Sequence, residues 1–129
     1  LPNNMKVKKG SGGVTLFTLS GNYLKEGTGG STLYSLKGSR VCKGNGGSTL
    51  VSVSRDQIRQ GSGGKVLMSF NRSKICEGSG GRVLFNLSGK YLREGSGSRP
   101  VCSFSETVGI IGDKGQTVIA AVLLGLGYL

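Results

Sequence analysis

The hydrophobic and polar positions of this chain recur every 17 residues up to about residue 104. A Gly-rich turn opens each copy, and the first glycines of these turns are Gly10, Gly27, Gly44, Gly61, Gly78 and Gly95. Gly112 lies another 17 residues on and opens a degenerate seventh copy. Because no insertion or deletion breaks the spacing, the pattern predicts one structural unit per repeat.

Each copy contains two short segments with the alternation that is typical of strands. Phe17, Thr18 and Leu19 run apolar, polar, apolar between Gly/Ser turns, which predicts a half-buried strand of about six residues. A shorter strand is predicted before each glycine, as at residues 23–26. The turn between the two strands carries a glycine such as Gly21, where a positive φ is expected. No helical period appears before the tail, so the predicted fold class is all-β.

Two all-β architectures fit two strands and two turns per copy. In a β-solenoid of six to seven coils, each repeat stacks about 4.8 Å above the last. Constant loop lengths favour this arrangement, as does the alternating charge of Lys9, Glu26 and Lys43, which would stack. Lys8 over Lys25 would instead repel. We therefore expect the solenoid, with an antiparallel β-hairpin meander as the alternative.

The chain divides into two parts. Residues 1–104 hold six tandem 17-residue β-repeats, and residues 105–129 hold the degenerate seventh copy and an apolar C-terminus. The apolar run at 118–129 is shorter than the roughly 20 residues of a spanning helix, so no transmembrane span is predicted. We expect it to form a buried strand, a cap or an association segment.

A row of leucines raises the question of self-association. The residue six positions after each glycine is aliphatic and falls on the strand face opposite Phe17 and Leu19. A two-strand coil has one inside, so the row would form an exposed apolar ridge unless a bulge turns it inward. With the apolar tail, this predicts a structural protein that self-associates into an oligomer, fibre or surface layer. The expected contact residues are Leu16, Leu33, Leu50, Leu67, Leu84, Val118, Ile119, Val122, Leu123, Leu124, Leu126 and Leu129.

The charge balance favours a second function class. Seventeen Lys and Arg against six Asp and Glu give a net charge of +11 and a pI near 10.0, which attracts nucleic acid, acidic polysaccharide or lipopolysaccharide. The basic residues recur two positions before and four positions after the repeat glycine, in two predicted stripes. The alternative function is therefore a polyanion-binding module that uses Lys8, Lys25, Arg59, Arg93, Lys65, Arg82 and Arg99.

The composition argues against an enzyme. The chain has no His, which excludes His-based triads and His-ligated zinc, and its six acids leave little for a carboxylate site. The turn at residues 61–65 lacks the spacing and helix of a phosphate-binding loop. The repeated turns also lack the Asp of calcium-binding repeats. We therefore predict no catalytic residues, metal or cofactor.

The three cysteines are Cys42, Cys76 and Cys102. They lack a metal-binding spacing and, being odd in number, cannot all pair within one chain, so we expect inert thiols, with an intermolecular disulfide as the alternative. The Gly/Ser/Thr-rich repeats and the absence of an initiator Met suit a secreted or cell-surface protein, although three unpaired thiols favour a reducing compartment.

The repeat resembles those of bacterial short tandem β-repeat proteins, in which a Gly/Ser turn, a Val-Leu-Tyr-like strand, a Ser-Gly turn and an Ile-Arg-like strand recur. The matching segments are residues 65–68, 82–85, 58–59 and 91–93. The resemblance implies a β-repeat fold and no agreed activity, so it assigns no site residues.

Overall fold

The structure is a computed structural model that describes residues 4–97, 99–108 and 113–129. Within these ranges the chain forms twelve strands and one helix. The strands are β1 (Asn4–Lys9), β2 (Thr15–Ser20), β3 (Tyr23–Glu26), β4 (Thr32–Lys37), β5 (Arg40–Lys43), β6 (Thr49–Ser54), β7 (Gln57–Gln60), β8 (Val66–Asn71), β9 (Lys74–Glu77), β10 (Val83–Ser88), β11 (Tyr91–Glu94) and β12 (Pro100–Phe104), and the helix is α1 (Asp113–Leu126).

The strands form a closed antiparallel barrel. Each strand pairs with its neighbours in sequence, and β1 pairs with β12, where Val7 lies opposite Phe104. The predicted β-solenoid is therefore wrong, and so is an open hairpin meander. The physical reason is that two-residue turns, such as Gly21–Asn22 between β2 and β3, make successive strands antiparallel. Equivalent positions of successive repeats consequently form rings around the barrel instead of stacked columns.

A β-bulge occurs in each of the six strand pairs that a Gly-rich loop joins. Val7 lies opposite Phe17 while Lys8 lies opposite Thr15, so Leu16 is the extra residue. Its carbonyl accepts a 2.8 Å hydrogen bond from the amide of Gly27. Bulges bend and twist a strand, which helps a sheet to close. The bulged residues are the whole aliphatic row, namely Leu16, Leu33, Leu50, Leu67, Leu84 and Val101.

Helix α1 occupies the interior of this barrel. Residues 116–123 are all buried, so the helix is covered around its whole circumference. Side chains alone fill a barrel of about eight strands, whereas twelve strands enclose a wider space. The helix fills that space and packs against the inward-facing residues of the short strands, such as Leu24, Val41 and Ile58, in one core.

The position of α1 defines the two ends of the barrel. Its first turns lie at the end with the two-residue turns (the turn end), where Gln116 contacts Asp56. Its C-terminus lies at the end with the Gly-rich loops (the loop end), where Tyr128 packs edge-on against Phe85 with ring centroids 4.8 Å apart. The apolar tail at 118–129, predicted to form a buried strand, a cap or an association segment, is therefore helical over most of its length. Gly112, predicted to open a seventh copy, lies outside the described residues.

The fourteen residues of α1 are too few for a membrane span, and within the described ranges no helix is long and apolar enough to cross a membrane.

Candidate polyanion-binding surface

The outer wall of the barrel is basic. Because strand residues alternate between the two faces, buried inward residues such as Leu24 place their neighbours Tyr23 and Lys25 on the outside. Eight outward strand positions carry Lys or Arg, and no described outward strand position carries Asp or Glu. The eight are Lys6, Lys8, Lys25, Lys37, Arg40, Arg59, Lys74 and Arg93.

The six acidic residues lie away from this wall. Glu26, Glu77 and Glu94 end their strands at the loop end, in register with inward residues such as Phe17. The other three, Asp56, Glu106 and Asp113, lie in a turn, after the last strand and at the start of the helix. The described part of the wall is therefore positive over its height, and the described carboxylates lie towards the ends of the barrel.

The structure brings the two predicted basic rows together in pairs. Arg59 lies opposite Val66, the residue after Lys65, and Arg93 lies opposite Pro100, the residue after Arg99. Lys8 and Lys25 lie on other sectors of the wall, because the repeats follow one another around a ring. The two rows consequently form local clusters and not the two continuous stripes that a solenoid would give.

Several of these side chains are held by neighbours. Arg59 donates from Nη2 to Oε1 of Gln57 at 2.8 Å and from Nη1 to the carbonyl of Gly64 at 3.2 Å. The guanidinium of Arg93 lies 5.2 Å from the ring centroid of Tyr91, a cation–π arrangement. These contacts keep the cations on the wall and orient them.

The side chain of Arg82 is held less firmly, by a single exposed ion pair. Its Nε lies 3.7 Å from Oε1 of Glu77, and both side chains are more than half exposed. Solvent screens such a pair strongly, so Arg82 retains most of its attraction for an external anion.

One part of the wall surrounds a cavity of about 430 Å³ between two repeats, and three arginines line it. Arg40 begins β5, Arg55 lies in the two-residue turn between β6 and β7, and Arg59 lies in β7. The loop residues Ser62 and Gly63 close the other side. Serine hydroxyls complete the lining at Ser39, Ser52 and Ser54, and no carboxylate is among the lining residues.

The neighbouring repeat builds the same cavity with different residues. Its lining includes Asn22, Tyr23, Ser35, Lys37 and Gly46, each 17 positions before its counterpart, and its volume is about 170 Å³. The Ser35 hydroxyl is buried there without a hydrogen-bond partner in the described part of the chain. The repeat therefore supplies a recurring groove, and the residues at the variable positions decide what each copy offers.

The residues predicted for self-association lie mostly inside. Val118, Ile119, Val122 and Leu123 are buried in the barrel core. Others are partly buried and pack against that core: Leu16, Leu33, Leu67, Leu84, Leu124, Leu126 and Leu129. Leu50 is half-buried at its bulge. The large hydrophobic side chains that are exposed among the described residues are Val14, Tyr23 and Tyr128.

All three thiols are free and buried. Cys42 and Cys76 take the outward strand positions that hold Lys or Arg in other repeats, and Cys42 Sγ lies 3.7 Å from Oγ1 of Thr49. Cys102 lies in the core, and burial raises the pKa of its thiol from 9.0 to about 12. A thiol with such a pKa is a poor nucleophile at neutral pH.

No group of three metal-ligating side chains of the His, Cys, Asp and Glu types occurs within the described ranges. The prediction that no cofactor or metal is used stays a prediction.

Sequence reasoning missed part of this surface. Lys6, Lys37, Arg40, Arg55 and Lys74 were not in the predicted set, because they do not share the repeat positions of the two rows. A readable signal was that Arg40 and Lys74 precede the buried Val41 and Ile75, which puts them on the outward face of their strands.

The fold and the surface define a closed barrel of β-hairpin repeats with a basic outer wall. Residues 3–111 match the family described as 6-fold beta flower protein. As the match spans most of the chain, the chain belongs to this family, and its β-repeat character is confirmed. The match ends before α1. No curated protein and no solved structure matches the chain.

Proposed function

We propose that this protein is a non-enzymatic module that binds polyanions through the outer wall of its barrel. The observation that carries the proposal is the segregation of charge: eight outward strand positions are basic and none of the described ones is acidic. A wall of one sign attracts a polymer of the opposite sign and gains free energy from the release of its counterions.

The ring arrangement limits how many cations one polymer can contact. Successive repeats turn around the barrel, so an extended chain lying across the wall meets the basic residues of one or two repeats, and a polymer that wraps around meets more. The clusters at Arg59 with Lys65 and at Arg93 with Arg99 are the contact points that this geometry favours.

The test is the salt dependence of binding to heparin and to duplex DNA, measured by fluorescence anisotropy. We expect the affinity to fall steeply with salt. For the duplex, the slope of the logarithm of the binding constant against the logarithm of the salt concentration is expected to be about −0.9 per neutralised phosphate. Lys25→Gln and Arg93→Gln each remove one wall cation and are expected to reduce the slope by about one for ligands that touch that sector. The two wall changes are also combined in Lys25→Gln/Arg93→Gln, and the matched control for this double variant is Lys9→Gln/Lys43→Gln, which removes the same charge from strand ends at the loop end.

The proposal is overturned if the chain binds neither heparin nor duplex DNA at low salt. It is also overturned if salt does not change the affinity. Equal losses for the wall variants and the loop-end control would mean that net charge alone attracts the polymer, and this too would remove the wall as the site.

Self-association, the other predicted function, has less support. The four core residues at 118, 119, 122 and 123 already pack within one chain. The β1–β12 pairing closes the sheet, so none of the twelve described strands offers a free edge to a second copy. It stays a prediction, which light scattering at several concentrations tests. The secreted or cell-surface location and the finer resemblance to bacterial tandem β-repeat proteins also stay predictions.

A further inference from the structure

The 430 Å³ cavity has the composition of a site for one compact anion. Three arginines line it, at positions 40, 55 and 59, and no carboxylate does. Arginine presents donors in a planar fork that matches the paired oxygens of a phosphate or sulfate group. Three such groups around one cavity exceed what the shared repeat supplies, since the preceding repeat has Tyr23, Gly38 and Cys42 at the equivalent sequence positions.

The three arginine side chains of this cavity differ in how firmly other residues hold them. Arg59 is oriented by Gln57 and by the Gly64 carbonyl. The side chains of Arg40 and Arg55 make no hydrogen bond or ion pair within the part of the chain that the structure describes, so their guanidinium donors are available to a ligand. One fixed and two adjustable cations allow the site to close on an anion without breaking a protein contact.

The turn beside this cavity starts with a residue that carries a side chain. The two-residue turn here is Arg55–Asp56, with φ of 53° and 62°, whereas three other turns start with Gly21, Gly38 or Gly89 and the next repeat has Arg72 at φ 59°. Residues with a side chain resist this left-handed conformation. The strained turn places Arg55 beside the cavity. A glycine at position 55 would relieve the strain but would remove the third cation from the cavity.

The remaining lining indicates what carries the anion. The hydroxyls of Ser39, Ser52, Ser54 and Ser62 surround the cavity, its aliphatic lining is limited to Val53, and it contains no aromatic ring. Hydroxyls both donate to and accept from the hydroxyls of a sugar. A nucleobase would instead require a stacking surface, which this cavity lacks.

We infer that this cavity is a site for a sulfate or phosphate ester on a sugar unit, bound by Arg40, Arg55 and Arg59. The inference rests on the proposed function, since it treats the ester as part of an acidic polysaccharide that lies along the wall. The volume is within the range of roughly 300–1,000 Å³ for small-molecule sites and leaves room for the sugar as well as its ester.

The test is a titration of the full chain, followed by ¹⁵N amide NMR, with glucosamine 6-sulfate and glucose 6-phosphate in separate arms. We expect saturable shifts at residues 39–40, 52–55 and 59–63, and comparison of the two arms shows which ester is preferred. Glucose and a short single-stranded DNA serve as the neutral and the nucleic-acid ligands, and both are expected to leave these amides unshifted at equal concentration.

Arg40→Gln/Arg59→Gln is expected to weaken ester binding by at least about tenfold, because two charge-assisted hydrogen-bonding groups are lost. The control Lys9→Gln/Lys43→Gln has the same change in net charge and should keep the wild-type affinity. Unchanged amide dispersion in both variants shows that each has folded.

Heparin binding without saturable shifts at the cavity would overturn this site and leave the proposed function standing. Equal weakening in the two double variants, or stronger cavity shifts with DNA than with the esters, would also overturn it. If the wild-type chain bound neither heparin nor duplex DNA, the proposed function itself would be overturned.

Discussion

Gln116 on the buried helix donates a 2.6 Å hydrogen bond from Nε2 to Oδ1 of Asp56, sixty residues earlier in the chain. Gln116 is buried, whereas Asp56 lies in the exposed turn between β6 and β7. The hydrogen bond therefore fixes the first turns of α1 to the β6–β7 turn at the turn end of the barrel. It also gives a partner to an amide that the core would otherwise leave without one.

The coupling between these two side chains can be measured with a double-mutant cycle. Asp56→Ala alone leaves the buried amide of Gln116 without its acceptor and is expected to cost about 1–3 kcal/mol of unfolding free energy. Gln116→Met removes the amide as well. In urea unfolding of both single variants and the double variant, we expect a coupling of about 1–2 kcal/mol, because any effect on the turn backbone cancels in the cycle. Additive losses would mean that the hydrogen bond contributes nothing to stability.

The other end of the helix is limited by the ring of Phe17. A Cβ on Gly125 would lie 2.7 Å from Cζ of that ring, closer than side chains tolerate. Gly125→Ala is therefore expected to destabilise the protein by about 1–3 kcal/mol, as overpacked cores do. Phe17→Leu in the same chain should recover part of the loss by making room, which urea unfolding of the pair checks. If Gly125→Ala unfolds at the wild-type urea concentration, the helix end does not pack as described.

The Cys102 thiol predicts a loss of stability at high pH. Its pKa is raised from 9.0 to about 12 by burial, so the folded chain keeps a proton that the unfolded chain gives up. The contribution is complete below pH 9 and declines between about pH 9 and 12, by at most about 1.4 kcal/mol per pH unit. Cys102→Ala should remove this part of the decline. Urea unfolding of both proteins from pH 8 to 10.5 tests it, and parallel curves would contradict it.

The strands could be predicted from the sequence, but the way they close could not. The alternation at Phe17 and Leu19 and the turn glycine Gly21 identify β2, β3 and the hairpin turn correctly. The two-residue turn makes β2 and β3 antiparallel, but nothing within one repeat states how it pairs with the next repeat, and the constant loop length fits both a stacked coil and a ring. The pairing of Val7 with Phe104, which decides the matter, joins residues nearly a hundred positions apart.

The leucine row shows a similar limit. A strict two-residue period puts Leu16 on the outside, whereas the structure makes it the extra residue of a bulge that packs against the core. The apolar tail was ambiguous because a helix that is buried all around has no amphipathic period to detect. At the surface, the row that contains Arg59 could be predicted from the sequence, but the approach of Arg59 to Arg40 around one cavity depends on contacts between repeats.

The turn at Arg55 predicts a trade between stability and binding. Its φ of 53° lies in the left-handed region that glycine adopts without strain. Arg55→Gly is therefore expected to raise the unfolding free energy by about 1 kcal/mol while weakening ester binding at the adjacent cavity. The reciprocal change is Gly38→Ala in the equivalent turn, where φ is 61° and a Cβ would meet no atom within 4 Å.

Gly38→Ala should lose about 1 kcal/mol from backbone strain alone, and its effect on ester binding should be small. Urea unfolding and the NMR titration, applied to both variants, give the two quantities independently. A less stable Arg55→Gly chain would show that the arginine stabilises the turn through contacts. If the Arg55→Gly chain is more stable and binds the ester as tightly as the wild type, Arg55 does not take part in ester binding.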